Sequence, residues 1–305
     1  MAVSSSVFGD KQSLALGARI MAALKLDAPL LTGLLAVAAF GLVVLWSAGG
    51  QDQGLLLRQL VRLGVAFGVM LVIAQVPPKI LRLWAPWMFL AGLTLLFAVL
   101  FFGDTGKGAQ RWLDLGVVRF QPSEMMKLAV PMMAAWYLHD RPLPPRFLEL
   151  CVLLLMVVVP ALLIARQPDL GTALLVASSG ILVVLLGGLR VRMIVLLGAL
   201  GAALAPLLWY FMHDYQRRRV LTFLQPESDP LGAGYHIIQS KIAIGSGGLF
   251  GKGWGNGSQA QLEFLPERST DFIFAVLGEE FGLIGLALLI AGYLFIIGRG
   301  LYIAL

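Results

Sequence analysis

Apolar runs of membrane-spanning length recur along this chain, divided by short polar joints and two much longer ones. A helix needs roughly 17–25 mostly apolar residues to cross the hydrocarbon core of a bilayer. Eight runs meet that length or come close: 28–48, 55–75, 84–103, 124–138, 148–165, 169–188, 193–212 and 271–298. The fourth is short, and the sixth starts within Gln167-Pro168-Asp169. The pattern predicts an all-α fold, a polytopic membrane bundle of about eight helices. Residues 1–27 form a tail and 28–305 a transmembrane domain that contains one large loop, 213–270.

The joints carry the polar information. Pro77-Pro78-Lys79-Ile80-Leu81-Arg82 and Gly188-Leu189-Arg190-Val191-Arg192 are short and basic, as inner-side anchors are. With the first span weighted most, they place the N-terminus in the cytoplasm. The tail bears Lys11, Arg19 and Lys25 without the apolar core of a signal peptide, so the first span reads as a retained signal anchor. Met21 to Lys25 either lies along the membrane surface or is plain tail. Trp46, Trp84, Trp87, Trp136 and Trp209 fall near span ends, where amphipathic rings sit. The opposite side holds more cations than orientation alone would require, which an anionic ligand would explain.

Of the two long outer joints, 103–123 opens with glycines and then alternates through Trp112 to Phe120, predicting a short extended or hairpin-like piece. The other, 213–270, is too long to be structureless within a compact protein. Tyr235 to Ile244 has the spacing of an amphipathic interfacial helix. The glycine-rich stretch Gly245–Gly257 is expected to be flexible, with a backbone able to approach a ligand closely.

Composition removes other classes. At 59% hydrophobic and 13% charged residues, with a mean hydropathy of +0.85, the chain cannot be a soluble domain. The single cysteine, Cys151, excludes an intramolecular disulfide and reads as a small buried apolar residue. His139, His213 and His236 are scattered, so no zinc spacing exists and no metal site is expected. There is no phosphate-cradling Gly-Lys-Ser/Thr motif and no nucleophile elbow. The net charge of +6 is dispersed over loops, which predicts no nucleic acid partner.

The candidate chemistry lies at span mouths. Asp271 puts a carboxylate where an apolar span begins, a costly position that usually serves a partner or a reaction. The alternative is that it caps the helix. On that helix Ala275, Gly278 and Gly282 share its face, leaving an open strip beneath the acid. Glu279 and Glu280 lie about 12 Å deeper at 1.5 Å per residue, and one at least should face inward or be protonated. Glu124 and Lys127 share a helical face, as a local ion pair or a ligand contact. Arg111 and Trp112 offer a guanidinium fork and a flat ring, as ligand groups or interfacial anchors. Asp169 could cap a helix or line a cavity. Arg217-Arg218-Arg219 suit lipid headgroups, a diphosphate or a partner, and Lys241 and Lys252 are further phosphate candidates.

Four blocks in this order resemble the SEDS family (shape, elongation, division and sporulation): Gly108-Ala109-Gln110-Arg111-Trp112; Gln121-Pro122-Ser123-Glu124-x-x-Lys127; Arg166-Gln167-Pro168-Asp169-Leu170-Gly171-Thr172; and Pro266 to Phe274. The stretch from Leu231 to Gly253 looks most like the elongation branch. Members typically have ten spans, whereas this chain supplies eight, so the family's last two are expected to be lacking here. The resemblance implies a peptidoglycan glycosyltransferase that polymerises lipid II at the outer face of the bacterial cytoplasmic membrane. It releases undecaprenyl pyrophosphate and works beside a class B penicillin-binding protein, the transpeptidase, among membrane lipids. By the same resemblance Asp271 is the base. Lys127 neighbours it in a central cavity, pairing with it at rest and with pyrophosphate during turnover. Arg111, Trp112, Glu124, Asp169, Arg217 and Lys241 complete the candidate substrate set. No tightly bound cofactor is implied; a divalent cation, Mg or Mn, could arrive with the pyrophosphate. Two rivals use the same residues: a lipid II flippase, favoured by Glu279 and Glu280 within the span, and a non-catalytic scaffold for the transpeptidase.

Overall fold

A computed structural model describes residues 24–106, 109–114, 116, 119–212, 214–230, 232–262, 264–265 and 267–304. The tail residues Lys11 and Arg19, most of the stretch from Met21 to Lys25, and Lys107 and His213 lie outside it. Each of the eight apolar runs is a helix: α1 (Ala28–Ala48), α2 (Gln53–Gln75), α3 (Pro78–Phe102), α4 (Pro122–His139), α5 (Phe147–Arg166), α6 (Leu170–Leu186), α7 (Val191–Phe211) and α11 (Ile273–Ala304). Between them lie β1 (Asp104–Gly106), β2 (Ala109–Asp114), β3 (Arg119–Phe120), α8 (Asp214–Leu224), α9 (Ala233–Ser246) and α10 (Ser258–Gln261). Helix α3 starts six residues before the predicted span. Pro78 fits the first helical turn, where its missing N–H costs nothing, so the basic turn after it is already helical.

The described chain forms two compact units, residues 77–219 and residues 24–76 with 220–304. In the first, α3 to α6 enclose a core of Leu96, Met126, Val130, Val157, Ile164 and Val176. Gly180 lets α6 close on Val157 and Val130, the close approach that small residues allow between helices in lipid. Cys151 is exposed rather than buried, because Leu150 and Leu153 face that unit's second core cluster and turn it outward. The predicted hairpin is present: β2 pairs antiparallel with β1 (Thr105 opposite Gln110) and with β3 (Leu113 opposite Phe120).

In the second unit α1 packs along α11, and Gly33 approaches the Phe295 ring so closely that an added Cβ would sit 2.9 Å from it. The ends of these helices are stapled by polar bonds. Arg299 donates to both carboxylate oxygens of Asp27, at 2.9 and 2.8 Å. Asp27 also accepts from the Leu30 amide as the N-cap of α1. The Arg299 hydrogen bonds hold the Asp27 carboxyl down at about 2, against its ordinary 3.8.

Helix α11 is not continuous. At Gly282 the backbone turns to φ 63°, ψ −160°, which divides a half-helix beginning at Ile273 from the longer segment beyond. A break inside an apolar span is tolerable only if the freed backbone groups find partners in the protein. They find them in the glycine-rich stretch. The amides of Lys252 and Gly253 donate to the carbonyls of Glu279 and Glu280, at 2.9 and 3.0 Å. In return the amides of Leu283 and Ile284 donate to Gly248 and Leu249, at 2.9 and 3.2 Å.

Candidate functional site

Asp271 lies in the turn that leads into the half-helix. The amides of Thr270 and Phe272 donate to the Glu267 carbonyl, at 3.0 and 3.3 Å, which closes the turn. Phe272 stacks on His236 of α9 with ring centroids 5.9 Å apart. Leu265, Ala243 and Ala275 form a small buried cluster beneath. The turn is thus anchored from below while Asp271 itself is exposed. Helix α11 starts two residues later, and the Asp271 carboxylate makes no capping bond or ion pair among the described residues. The capping reading therefore has no bond to support it.

The open strip predicted below Asp271 is closed. Ala275, Gly278 and Gly282 are all buried. Ile244 of α9 covers Gly278, Gly247 abuts the Gly278 carbonyl, and the backbone of residues 249–251 covers Gly282. The reason is the one that made the strip shallow: with no Cβ in the way, a neighbouring backbone moves in and buries it. The expectation of a flexible loop reaching a ligand is corrected in the same way. The backbone of Gly247–Gly257 closely approaches its own helix, and Gly251 holds φ +80° to do so.

Both buried glutamates face inward, at 0% and 1% exposure. Glu279 accepts from Lys252 Nζ at 2.7 Å, Ser258 Oγ at 3.1 Å and the Gln259 amide at 3.0 Å. Glu280 accepts a short hydrogen bond from Ser47 of α1. Lys252 was a candidate phosphate ligand by sequence; instead its ammonium is committed to Glu279 and Ser258. Sequence reasoning missed this partnership. Its signal was there, since an acid within a span needs a partner and Lys252 is a cation in the adjoining glycine-rich joint.

The remaining candidates, Lys241 apart, belong to the unit of residues 77–219. Asp169 is 8% exposed and caps α6, accepting from the Thr172 amide at 3.3 Å. The capping reading thus holds, and more besides: Gln121 donates to its other oxygen at 3.3 Å and Arg111 Nη1 lies 3.6 Å from it. Arg111 Nη2 also donates to the Pro168 carbonyl at 3.0 Å. This bolts β2 to the start of α6 and leaves Trp112 partly exposed beside it. Glu124 and Lys127 form a 2.7 Å ion pair, with both side chains partly exposed. The sequence reading that set Lys127 beside Asp271 joins residues of the two different units; within its own unit Lys127 pairs with Glu124. An exposed pair of this kind is worth at most about 1 kcal/mol, so an incoming phosphate can displace the carboxylate cheaply.

Arg217 is a correction. Its guanidinium donates to the carbonyls of Trp209 and Tyr210, at 3.0 and 2.6 Å, closing the C-terminal end of α7. A cation there satisfies carbonyls that the helix leaves unpaired. Lys241 is exposed on α9, as are Arg218 and Arg219 on α8. Among the described residues no group of three or more His, Cys, Asp or Glu is arranged to hold a metal ion.

Residues 25–305 match the sequence profile of the FtsW, RodA and SpoVE family, described as cell cycle proteins. The peptidoglycan glycosyltransferase MrdB of Escherichia coli K12 is 55% identical over 280 residues, covering 92% of this chain and 76% of that protein. A probable peptidoglycan glycosyltransferase FtsW of Geobacter sulfurreducens is 36% identical over 304 residues, covering 95% and 80%. A solved structure of a peptidoglycan synthase complex, on the coordination of polymerization and crosslinking, superposes with a TM-score of 0.73 at 36% identity. It covers 90% of this chain and 76% of that one. The crystal structure of Thermus thermophilus rod shape determining protein RodA gives 0.62 at 30% identity, covering 90% and 73%.

Proposed function

The chain belongs to the SEDS family of FtsW, RodA and SpoVE as a RodA-like, multi-pass peptidoglycan glycosyltransferase, and on that premise we propose that Asp271 is its general base. Its substrate is lipid II, taken as donor and acceptor at the outer face of the bacterial cytoplasmic membrane, with the N-terminus inside. Asp271 takes the proton of the acceptor sugar's hydroxyl as that oxygen attacks the donor's anomeric carbon. The bond from that carbon to the diphosphate breaks, and its electron pair departs on undecaprenyl pyrophosphate. A positioned base of this kind typically contributes 10²–10⁴-fold to the rate. The observation that carries the reading is the carboxylate of Asp271, exposed and unpartnered among the described residues and set on a turn anchored by Phe272 and His236.

The departing diphosphate needs cations. Lys127 supplies one by exchanging Glu124 for phosphate. Arg111 keeps its fork at the base of Trp112, whose exposed ring offers a face to a sugar or lipid stem. Asp169 serves by holding Arg111, and Lys241 stands on the loop helix, exposed to headgroups or diphosphate. Arg217 is left out of the substrate set, because its guanidinium already caps α7. No resident cofactor is invoked; a divalent cation arriving with the diphosphate, Mg or Mn, would share its charge. The partner is a class B penicillin-binding protein that cross-links the product. The transport rival loses its main support, since Glu279 and Glu280 are spent on local contacts.

The test is polymerisation of lipid II by the purified chain with its transpeptidase partner. The wild type makes glycan strands, Asp271→Asn makes none above background, and Lys127→Met is slowed at least tenfold. Equal product from Asp271→Asn and wild type would refute the base assignment.

A further inference from the structure

Lys252, Glu279, Glu280 and Ser47 lie away from the reacting groups; at 1.5 Å per residue the glutamates are about 12 Å along the chain from Asp271. We propose that these four are positioning residues, a clamp that fixes the half-helix headed by Asp271. The inference rests on the reading of Asp271 as base and adds how that base is held.

Three observations converge on it. The break at Gly282 uncouples the half-helix from the rest of α11, so the long segment cannot by itself fix where Asp271 stands. The half-helix is tied instead to the glycine-rich loop and to α1. Backbone bonds join Lys252 and Gly253 to Glu279 and Glu280, the Lys252–Glu279 ion pair lies inside them, and Ser47 holds Glu280. Val276 packs on Ala48 next to that bond, and Trp254 Nε1 donates to the Val43 carbonyl at 3.1 Å, so the loop is fastened to α1 as well. Finally, α9 connects this clamp to the turn of Asp271. Its C-terminal end abuts Gly278 through Gly247, and its start carries His236, on which Phe272 stacks. Loop, α9 and half-helix are thus fastened to one another, and the pair of Lys252 with the buried Glu279 secures them. Removing Lys252 leaves the wholly buried Glu279 carboxylate without its cation and drives the loop off the break, whereas removing both charges leaves the backbone bonds intact.

The experiment uses the full chain with its partner. Lys252→Met, Glu279→Gln, the double variant and Lys252→Arg are compared for kcat and KM on lipid II, with activity expressed per folded molecule. A nitroxide at Thr270→Cys, in a Cys151→Ala background, reports the mobility of the turn independently of activity. A displacement near 1 Å at a reacting group costs about 10²-fold, so Lys252→Met, which strands the buried Glu279 charge, is expected to lose at least tenfold in kcat with KM within threefold, and Glu279→Gln, which strands only the exposed Lys252 ammonium, a smaller factor. The label should become mobile in the same variants. The double variant and Lys252→Arg should recover most of the rate and an immobile label. Should the single variants fail to fold, Ser47→Ala removes one clamp bond while leaving the Lys252–Glu279 pair in place, and a partial loss of rate with partial label release is expected. An unchanged label in variants that fold, or a kcat per folded molecule equal to wild type, overturns the proposal. If Asp271→Asn stays active while the label still loosens, the base assignment has failed and the clamp has not.

Discussion

Replacing Gly251 with alanine should unlatch the break in α11. Gly251 sits at φ +80°, where an L side chain costs about 1 kcal/mol or more. An added Cβ would overlap the Glu280 carbonyl and lie 2.6 Å from the Phe281 nitrogen. These are backbone atoms, so relief requires the loop to retreat. Retreat breaks the bonds from Lys252 and Gly253 to Glu279 and Glu280, each worth about 1 kcal/mol net and more where water is scarce. The total is at least about 3 kcal/mol, before any loss from the Lys252–Glu279 pair. The control is Gly245→Ala. That glycine is exposed inside α9 with nothing within 4 Å of an added Cβ, and alanine there should be neutral or slightly favourable. Thermal unfolding of the purified chain in detergent, followed by tryptophan emission, reads both. Soluble chains of comparable size lose about 2–4 °C per kcal/mol; on that scale Gly251→Ala should melt several degrees lower and Gly245→Ala should not. Equal midpoints for the two variants would refute the claim that the loop replaces the broken helix's hydrogen bonds.

Three further predictions follow from other parts of the structure. Because Asp27 has a folded pKa of about 2 against an ordinary 3.8, its staple to Arg299 is fully present above about pH 4 and lost as pH falls towards 2. The melting difference between wild type and Asp27→Asn should accordingly be constant above pH 4 and vanish near pH 2. Asp169→Ala removes the cap of α6 and the Arg111 pair together, and should cost about 2 kcal/mol in the same melting assay. Lys127→Met should change stability by less than about 1 kcal/mol, since its pair with Glu124 is partly exposed, yet slow lipid II polymerisation at least tenfold.

Length and hydropathy made the eight long apolar helices among the described residues legible, because lipid leaves the backbone few alternatives to a helix. Asp169 was legible as a possible cap and does cap α6, pairing with Arg111 besides, whereas the start of α3 at Pro78 fell six residues before the span read from hydropathy. What the sequence hid was any feature depending on which backbone fills a gap. Ala275, Gly278 and Gly282 read as an open strip, and whether a ligand or the protein itself fills such a strip is decided by contacts remote in sequence. The glycines from 247 to 257 carry the same ambiguity, since freedom to approach a ligand is equally freedom to approach α11. Arg217 looked like a phosphate ligand for a related reason: a guanidinium suits phosphate and helix-terminal carbonyls alike. Asp271 stood out because a carboxylate at a span mouth is costly, with helix capping as the alternative, and it keeps its carboxylate exposed and unpartnered among the described residues.

The central claim is that Asp271 acts on the bond-forming step and not on assembly of the site. The most direct measurement follows lipid II binding and glycan product in one preparation of Asp271→Asn with its transpeptidase partner. Binding within a few fold of wild type, with polymerisation reduced at least 10²-fold, is the predicted result. Polymerisation at the wild-type rate, or a loss of product no greater than the loss of bound lipid II, would contradict it.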